Sequence, residues 1–280
     1  MPQTALLLAF ASAIIHALWN VMLKRNRDLD SASAGVFAVS MLLTAAAIPF
    51  VPGRAFPGAQ AVLWGLAAGV CEGCYFVGLV RTLERAPLGW SYSWMRGGSI
   101  AILWPVSMLF MGEPFHWNSL VCVIVVCTGL ALLGSSSGRK TNRGALPWAL
   151  LTGIFIAGYI LFYKLSLAHG AHPLALYSLS MAVGLPIQTL VRIRRRGLAA
   201  FRILPEEPGL VLVAGFLCAL GFSLFLVALS MTGAAAVTTI RNSSVAFTVI
   251  FSLALGERPG VRQWIGVVLV TLGAMGLGWK

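Results

Sequence analysis

Two stretches of this chain, GEPFHWNSLVCVIVVCTGLALLG at 112–134 and GERPGVRQWIGVVLVTLGAMGLG at 256–278, align without a gap, Gly112-Glu113 on Gly256-Glu257 and Gly134 on Gly278. The match extends upstream. WMRGGSIAILWPVSMLF (94–110) falls on TIRNSSVAFTVIFSLAL (239–255), which sets Arg96 on Arg241. Further out, LAFASAIIHALWNVMLK (8–24) falls on WALLTGIFIAGYILFYK (148–164), with Trp19 on Tyr159 and Lys24 on Lys164. The chain therefore reads as two copies of one unit, residues 1–138 and 139–280.

Each unit is almost entirely apolar. Of 280 residues 59% are hydrophobic and 10% charged, with mean hydropathy +0.88. That is too little charge to cover a soluble domain of this size, so the chain reads as integral to a membrane. Runs near the roughly 20 residues that cross a bilayer occur at 4–23, 33–51, 60–80, 88–111, 117–134, 146–168, 172–191, 208–231, 233–255 and 262–279. The expected architecture is all-α, with ten transmembrane helices as two five-helix repeats.

A net charge of +12 could suggest nucleic acid, but its placement says otherwise. Fifteen of the 20 Lys and Arg follow odd-numbered spans: Lys24, Arg25, Arg27, Arg81, Arg85, Arg139, Lys140, Arg143, Arg192, Arg194, Arg195, Arg196, Arg202, Arg258 and Arg262. Arg54, Lys164 and Lys280 lie on the other side. The positive-inside rule then makes the odd loops cytoplasmic and both termini external. The basic loops are topology signals that also touch anionic headgroups, and no nucleic acid is implied.

Five helices per unit force the second copy to enter the membrane upside down, and the charges follow. Loop one-two is basic and its counterpart six-seven is not. Loop two-three is nearly neutral, whereas seven-eight carries five positive charges. Inverted repeats of this kind let two halves exchange conformations around a central site.

Other readings are weaker. Ala11-Ser12-Ala13 would suit a signal-peptide cleavage site, but no Lys or Arg precedes it and the segment recurs in the second copy, so it reads as a retained helix. Cys71-x-x-Cys74 lies mid-span rather than at an accessible helix start, so all five cysteines read as small packing residues. Gly65, Gly69 and Gly73 are spaced for close helix approach. Pro105 is expected to kink its helix. The two Gly-Glu turns should place each glutamate near a helix start, where the dipole favours it.

The helix-one segment HALWNVMLKR, the Gly-Glu turns before spans five and ten and the internal repeat together resemble the drug/metabolite transporter superfamily, in its EamA-type branch of ten-helix proteins. The resemblance covers essentially the whole chain. It implies a multi-pass cell-membrane protein, in a bacterium the inner membrane, that exports amino acids, other metabolites or drugs through a cavity between its halves. It implies no cofactor and no metal. The partners expected are the small-molecule substrate, membrane lipids and a second copy of the chain. Many relatives have cytoplasmic termini, and here the charge count reverses that orientation.

Three ionisable groups sit deep in spans: Glu72, Arg96 and Arg241. At 1.5 Å rise per residue both arginines lie roughly 12 Å into their helices from opposite faces, and Glu72 reaches roughly the level of Arg96. A Glu72–Arg96 ion pair would lock span three to span four and leave Arg241 to meet an anionic group of the substrate. Buried charges in membranes face a partner or a cavity. His16, Trp19 and Asn20, at i, i+3 and i+4 on one helical face, with Tyr159 and Tyr163, are expected to line that cavity. Packing is the alternative for each. Glu72 and His16 are the candidates for proton coupling, and Lys24 and Lys164 are expected to snorkel to the interface.

Two rival functions stand beside transport. An intramembrane enzyme needs clustered acids, histidines or metal ligands, and Asp28, Asp30, Glu84, Glu206 and Glu207 read as scattered among basic loops. A non-transporting membrane subunit would carry the same apolar pattern.

Overall fold

Backbone polar groups facing lipid must be satisfied within their own segment, which leaves apolar runs of this length no option but helix. The computed structural model describes residues 2–50, 53–135, 142, 144–197, 207–253, 256 and 258–278. Within these lie α1 (Gln3–Arg25), α2 (Leu29–Ala47) with a 3-10 turn at Ile48–Phe50, α3 (Ala59–Arg85), α4 (Leu88–Met111), α5 (Trp117–Ser135), α6 (Ala145–Ala168), α7 (Pro173–Arg196), α8 (Pro208–Met231), α9 (Ala234–Arg241), α10 (Ser244–Ser252) and α11 (Val261–Gly278). The unit boundary at 138/139 lies outside the described residues, as do Arg139, Lys140, Arg143, Arg202, Glu206, Glu257 and Lys280.

Among the described residues ten spans result once α9 and α10 are counted together. Eight are long and apolar enough to cross a membrane, α11 is apolar and shorter, and α4 is long but carries Arg96. Large apolar side chains such as Leu7, Leu63, Leu109, Phe110, Val268 and Met275 point outward, as lipid contact requires.

One expected helix differs. Span nine breaks at Asn242-Ser243, where Ser243 N–H bonds the Ile240 carbonyl and Val245 N–H the Asn242 carbonyl, each at 3.0 Å. Its counterpart α4 carries Gly97-Gly98 at the equivalent place and Pro105 beyond it, yet runs unbroken from Leu88 to Met111. Local helix propensity would put the break in the glycine copy, so nothing in the local sequence explains it.

The halves interlock. Helix α3 packs on α6 and α7 of the second half, while α8 packs on α1 and α2 of the first. Helix α4 meets α6, and α9 and α10 meet α1. The equivalent helices α2 and α7 pair with each other, as do α5 and α11. Exchanging the two halves maps this contact pattern onto itself, as inverted repeats require.

Small residues make the close contacts, because lipid offers helices no hydrophobic drive to associate and van der Waals approach must supply it. A Cβ on Gly73 would stand 2.9 Å from Gly184 Cα, and one on Gly69 2.9 Å from the Ser180 carbonyl. The expected glycine seam on α3 therefore meets α7. Cys71 and Cys74 are free thiols. Cys71 Sγ fills the space beside Gly158, 3.0 Å from where a Cβ there would sit. Gly112 and Gly256 take φ of +65° and +75° and turn the chain ahead of α5 and α11.

Lys24 and Lys164 do not simply snorkel. Lys24 Nζ donates to the carbonyls of Leu83 at 2.5 Å and Ala86 at 3.5 Å, at the C-terminus of α3. Lys164 Nζ donates to those of Leu229 at 2.9 Å and Thr232 at 2.8 Å, at the C-terminus of α8. Orphan carbonyls at a helix end attract a cation in the last turn. The repeat places one such lysine at each membrane face.

Candidate substrate site

The stripe on α1 lands in the middle of the bundle. His16, Trp19 and Asn20 are all fully buried. Asn20 Nδ2 donates to the His16 carbonyl at 2.6 Å, and its Oδ1 accepts from the Tyr92 hydroxyl. Trp19 meets the His16 ring edge-on at 5.1 Å and stacks on Phe76 at 6.0 Å. The imidazole is thus held from its own helix by Trp19 and from α4 by Tyr92, whose ring meets it edge-on at 6.2 Å.

Both deep arginines converge on that ring. Arg96 from α4 contacts His16 Nε2, and the terminal NH2 of Arg241, from the end of α9, lies 3.3 Å from Nδ1. Arg241 also lies over two rings of α8, with its guanidinium carbon 4.2 Å from the centre of Phe222 and 4.0 Å from that of Phe225, a cation–π geometry. Nε and one terminal nitrogen of each arginine are buried without a hydrogen-bond partner among the described residues.

The expected Glu72–Arg96 ion pair does not form. Glu72 Oε2 accepts from the Tyr163 hydroxyl and, at 2.7 Å, from Ser180 Oγ, while Oε1 has no hydrogen-bond partner among the described residues. The depth estimate placed Glu72 along the membrane normal and said nothing of its azimuth. On α3 it faces α6 and α7, not α4.

Tyr159 and Tyr163 join the same cluster. Tyr159 lies 5.6 Å from Tyr163, 5.5 Å from Tyr75 and 6.2 Å from Phe222, whose ring in turn sits 6.0 Å from His16. The hydroxyls of Tyr75 and Tyr159 and the indole nitrogen of Trp19 have no hydrogen-bond partner among the described residues. The seven residues proposed from the sequence are therefore one buried, aromatic-walled polar cluster. Phe222, Phe225, Tyr92 and Ser180 complete it and were not anticipated. The equivalent contacts of Lys24 and Lys164 set Leu83 on Leu229, and the same register sets Phe76 on Phe222 and Glu72 on Cys218. The second half thus has a thiol where the first has a carboxyl.

A pocket of about 160 Å³ lies elsewhere, between α4, the turn before α5 and the start of α9, with Trp104, Met108, Glu113 and Thr239 in its wall. Thr239 is two residues from Arg241. Glu113 does sit at a helix start, but it is that of α9: its carboxylate accepts from Ala234 N–H at 2.5 Å and Ala235 N–H at 3.3 Å.

At the opposite face three of the acids read as scattered, Asp28, Asp30 and Glu84, come together. Arg195 pairs with Asp30 at 2.5 Å and Glu84 at 3.3 Å, Arg196 with Asp28 at 2.6 Å, and Arg81 with Glu84 at 3.3 Å. These contacts tie the start of α2 and the end of α3 to the end of α7, across the two halves. Burial pushes the Asp28 carboxyl up, but hydrogen bonds from Arg196 and Ser31 outweigh it and hold the group below its usual range.

The fold defines an integral membrane protein with ten spans in two inverted halves. Its second half, residues 143–279, matches the EamA-like transporter family, in line with the sequence resemblance to the drug/metabolite transporter superfamily. Solute carrier family 35 member F6 from Homo sapiens and from Pongo abelii are each 34% identical over 93 residues. The match covers 32% of this chain and spans about a quarter of the length of those relatives, 25%. A crystal structure of a protein 14% identical in sequence superposes with a TM-score of 0.74 over 98% of both chains, which is a likeness of fold.

Proposed function

We propose that this protein is a secondary transporter, working as an exporter, of a small organic anion or zwitterion such as an amino acid, by alternating access around the buried cluster. The observation that carries this is the pair Arg96 and Arg241, brought to one imidazole with no carboxylate paired to either among the described residues. Two buried cations and one buried carboxyl leave an excess of positive charge in a low-dielectric core, which an anionic cargo offsets. The unpartnered hydroxyls and indole offer hydrogen bonds, and the rings offer flat faces.

The pocket beside Thr239 and the ion-pair network on the opposite face support a state closed on the basic side. With that side cytoplasmic, the pocket opens outward, and in a bacterium the protein sits in the inner membrane. Coupling to protons runs through Glu72 or His16. The test is flux of labelled amino acids and organic anions from proteoliposomes. Wild type should move at least one of them, and folded Arg241→Ala should not. Equal flux by the variant overturns the assignment, and absence of flux for every organic anion and zwitterion overturns the cargo class.

A further inference from the structure

A guanidinium only donates hydrogen bonds, while a neutral imidazole has one lone pair and an imidazolium none. His16 therefore cannot accept from both arginines. One ring nitrogen accepts, and the other turns N–H toward N–H.

The surroundings decide which. Arg241 is supported without the imidazole, by the rings of Phe222 and Phe225 and by its place in the last turn of α9, where the helix dipole favours a cation. The Arg96 guanidinium has neither a ring face nor a carboxylate among the described residues, and its hydrogen-bond partner there is His16. The lone pair belongs with Arg96.

We propose that His16 gives the two symmetry-related arginines different tasks. Its Nε2 accepts from Arg96 and holds that side chain in place. Its Nδ1–H joins the terminal NH2 of Arg241, 3.3 Å away, as a two-donor cradle for one oxygen of the cargo. An oxygen about 2.9 Å from each nitrogen, an ordinary hydrogen-bond length, closes a triangle on that base. Without the anion the two donors face each other, so the cargo relieves a contact that the protein alone leaves unfavourable. This assignment rests on the anionic cargo proposed above and adds to it a residue-by-residue division of labour: Arg96 is positioned, Arg241 and His16 bind.

The test is nitrogen NMR of ¹⁵N-histidine protein in lipid nanodiscs. The chain has four histidines, and the His16 signals are those lost in His16→Gln. In wild type the ring should be neutral, with Nδ1 protonated and Nε2 accepting, and benzoate should shift the Nδ1 signal. Arg241→Gln should keep this tautomer and weaken the benzoate titration about tenfold or more, as expected for losing a hydrogen bond to a charged group. Arg96→Gln should move the lone pair to Nδ1. The wild-type measurement stands even if that variant fails to fold. An imidazolium, or a ring protonated at Nε2, overturns the proposal outright. The expected tautomer with no response to benzoate, lactate or glutamate overturns the anionic cargo and the cradle, and leaves the Nε2–Arg96 assignment standing.

Discussion

Glu113 and Ala234 are 121 residues apart in sequence, yet the carboxylate of one accepts the backbone N–H of the other at 2.5 Å and so caps a half-helix of the opposite repeat. Glu113→Ala should cost about 1–2 kcal/mol, the usual value of an N-terminal cap with its charge–dipole contribution. A Cβ on Gly233 would stand 2.9 Å from the same carboxyl carbon, so Gly233→Ala should push the cap aside. Thermal unfolding in detergent should show the two changes to be non-additive. Additive losses would mean that the contact is not what either substitution removes.

Glu72 should couple energetically to Tyr163 and Ser180, and not to Arg96. Double-mutant cycles of Glu72→Gln with Tyr163→Phe and with Ser180→Ala should give interaction energies within the roughly 0.5–3 kcal/mol seen for contacting residues. The cycle with Arg96→Gln should give a value near zero. A large Glu72–Arg96 coupling would restore the ion pair inferred from depth alone.

The ion pairs at the basic face should weaken with acid. The Asp28 carboxyl is held below its usual range, so its contribution is fully present above the ordinary carboxylate pKa and is lost as pH falls through the depressed folded value. The thermal midpoint of wild type should therefore drop more steeply than that of Asp28→Asn below the ordinary carboxylate range. Parallel curves would show that Asp28 is not a stabilising member of the network.

Lys24 and Lys164 should behave alike. Replacing either with Met removes charged hydrogen bonds to two carbonyls, which after allowance for partial exposure is worth about 1 kcal/mol. If Lys164→Met lowers the unfolding temperature and Lys24→Met does not, the equivalence of the two helix ends is only geometric.

Most of the architecture was legible because hydrophobic run length and loop charge are read one residue at a time. The repeat was legible because Arg96 and Arg241, and Trp19 and Tyr159, keep their register. The cluster was anticipated from polar residues in apolar runs, which is why His16, Asn20 and Glu72 stood out. What failed needed azimuth or long-range contact. Glu72 faces α7 rather than α4, Glu113 caps a helix of the other half, and Asp28, Asp30 and Glu84 meet arginines of α7. Phe222 and Phe225 looked like any other apolar residue of α8 and became legible only beside a guanidinium.

The interlocking of the halves also sets an order of events during synthesis. Helix α3 emerges from the ribosome long before α6 and α7, so its glycine seam at Gly69 and Gly73 must first lie against lipid, with no partner close enough to exploit the missing side chains. Helix α1 likewise waits for α8. The first five spans can be inserted but cannot take their final packing until the last have been threaded. A chain truncated after α5 would leave α1 and α3 facing the bilayer through surfaces shaped for protein. Tertiary folding is thus a late event that follows insertion of the whole chain, and its slow step is the meeting of segments far apart in sequence.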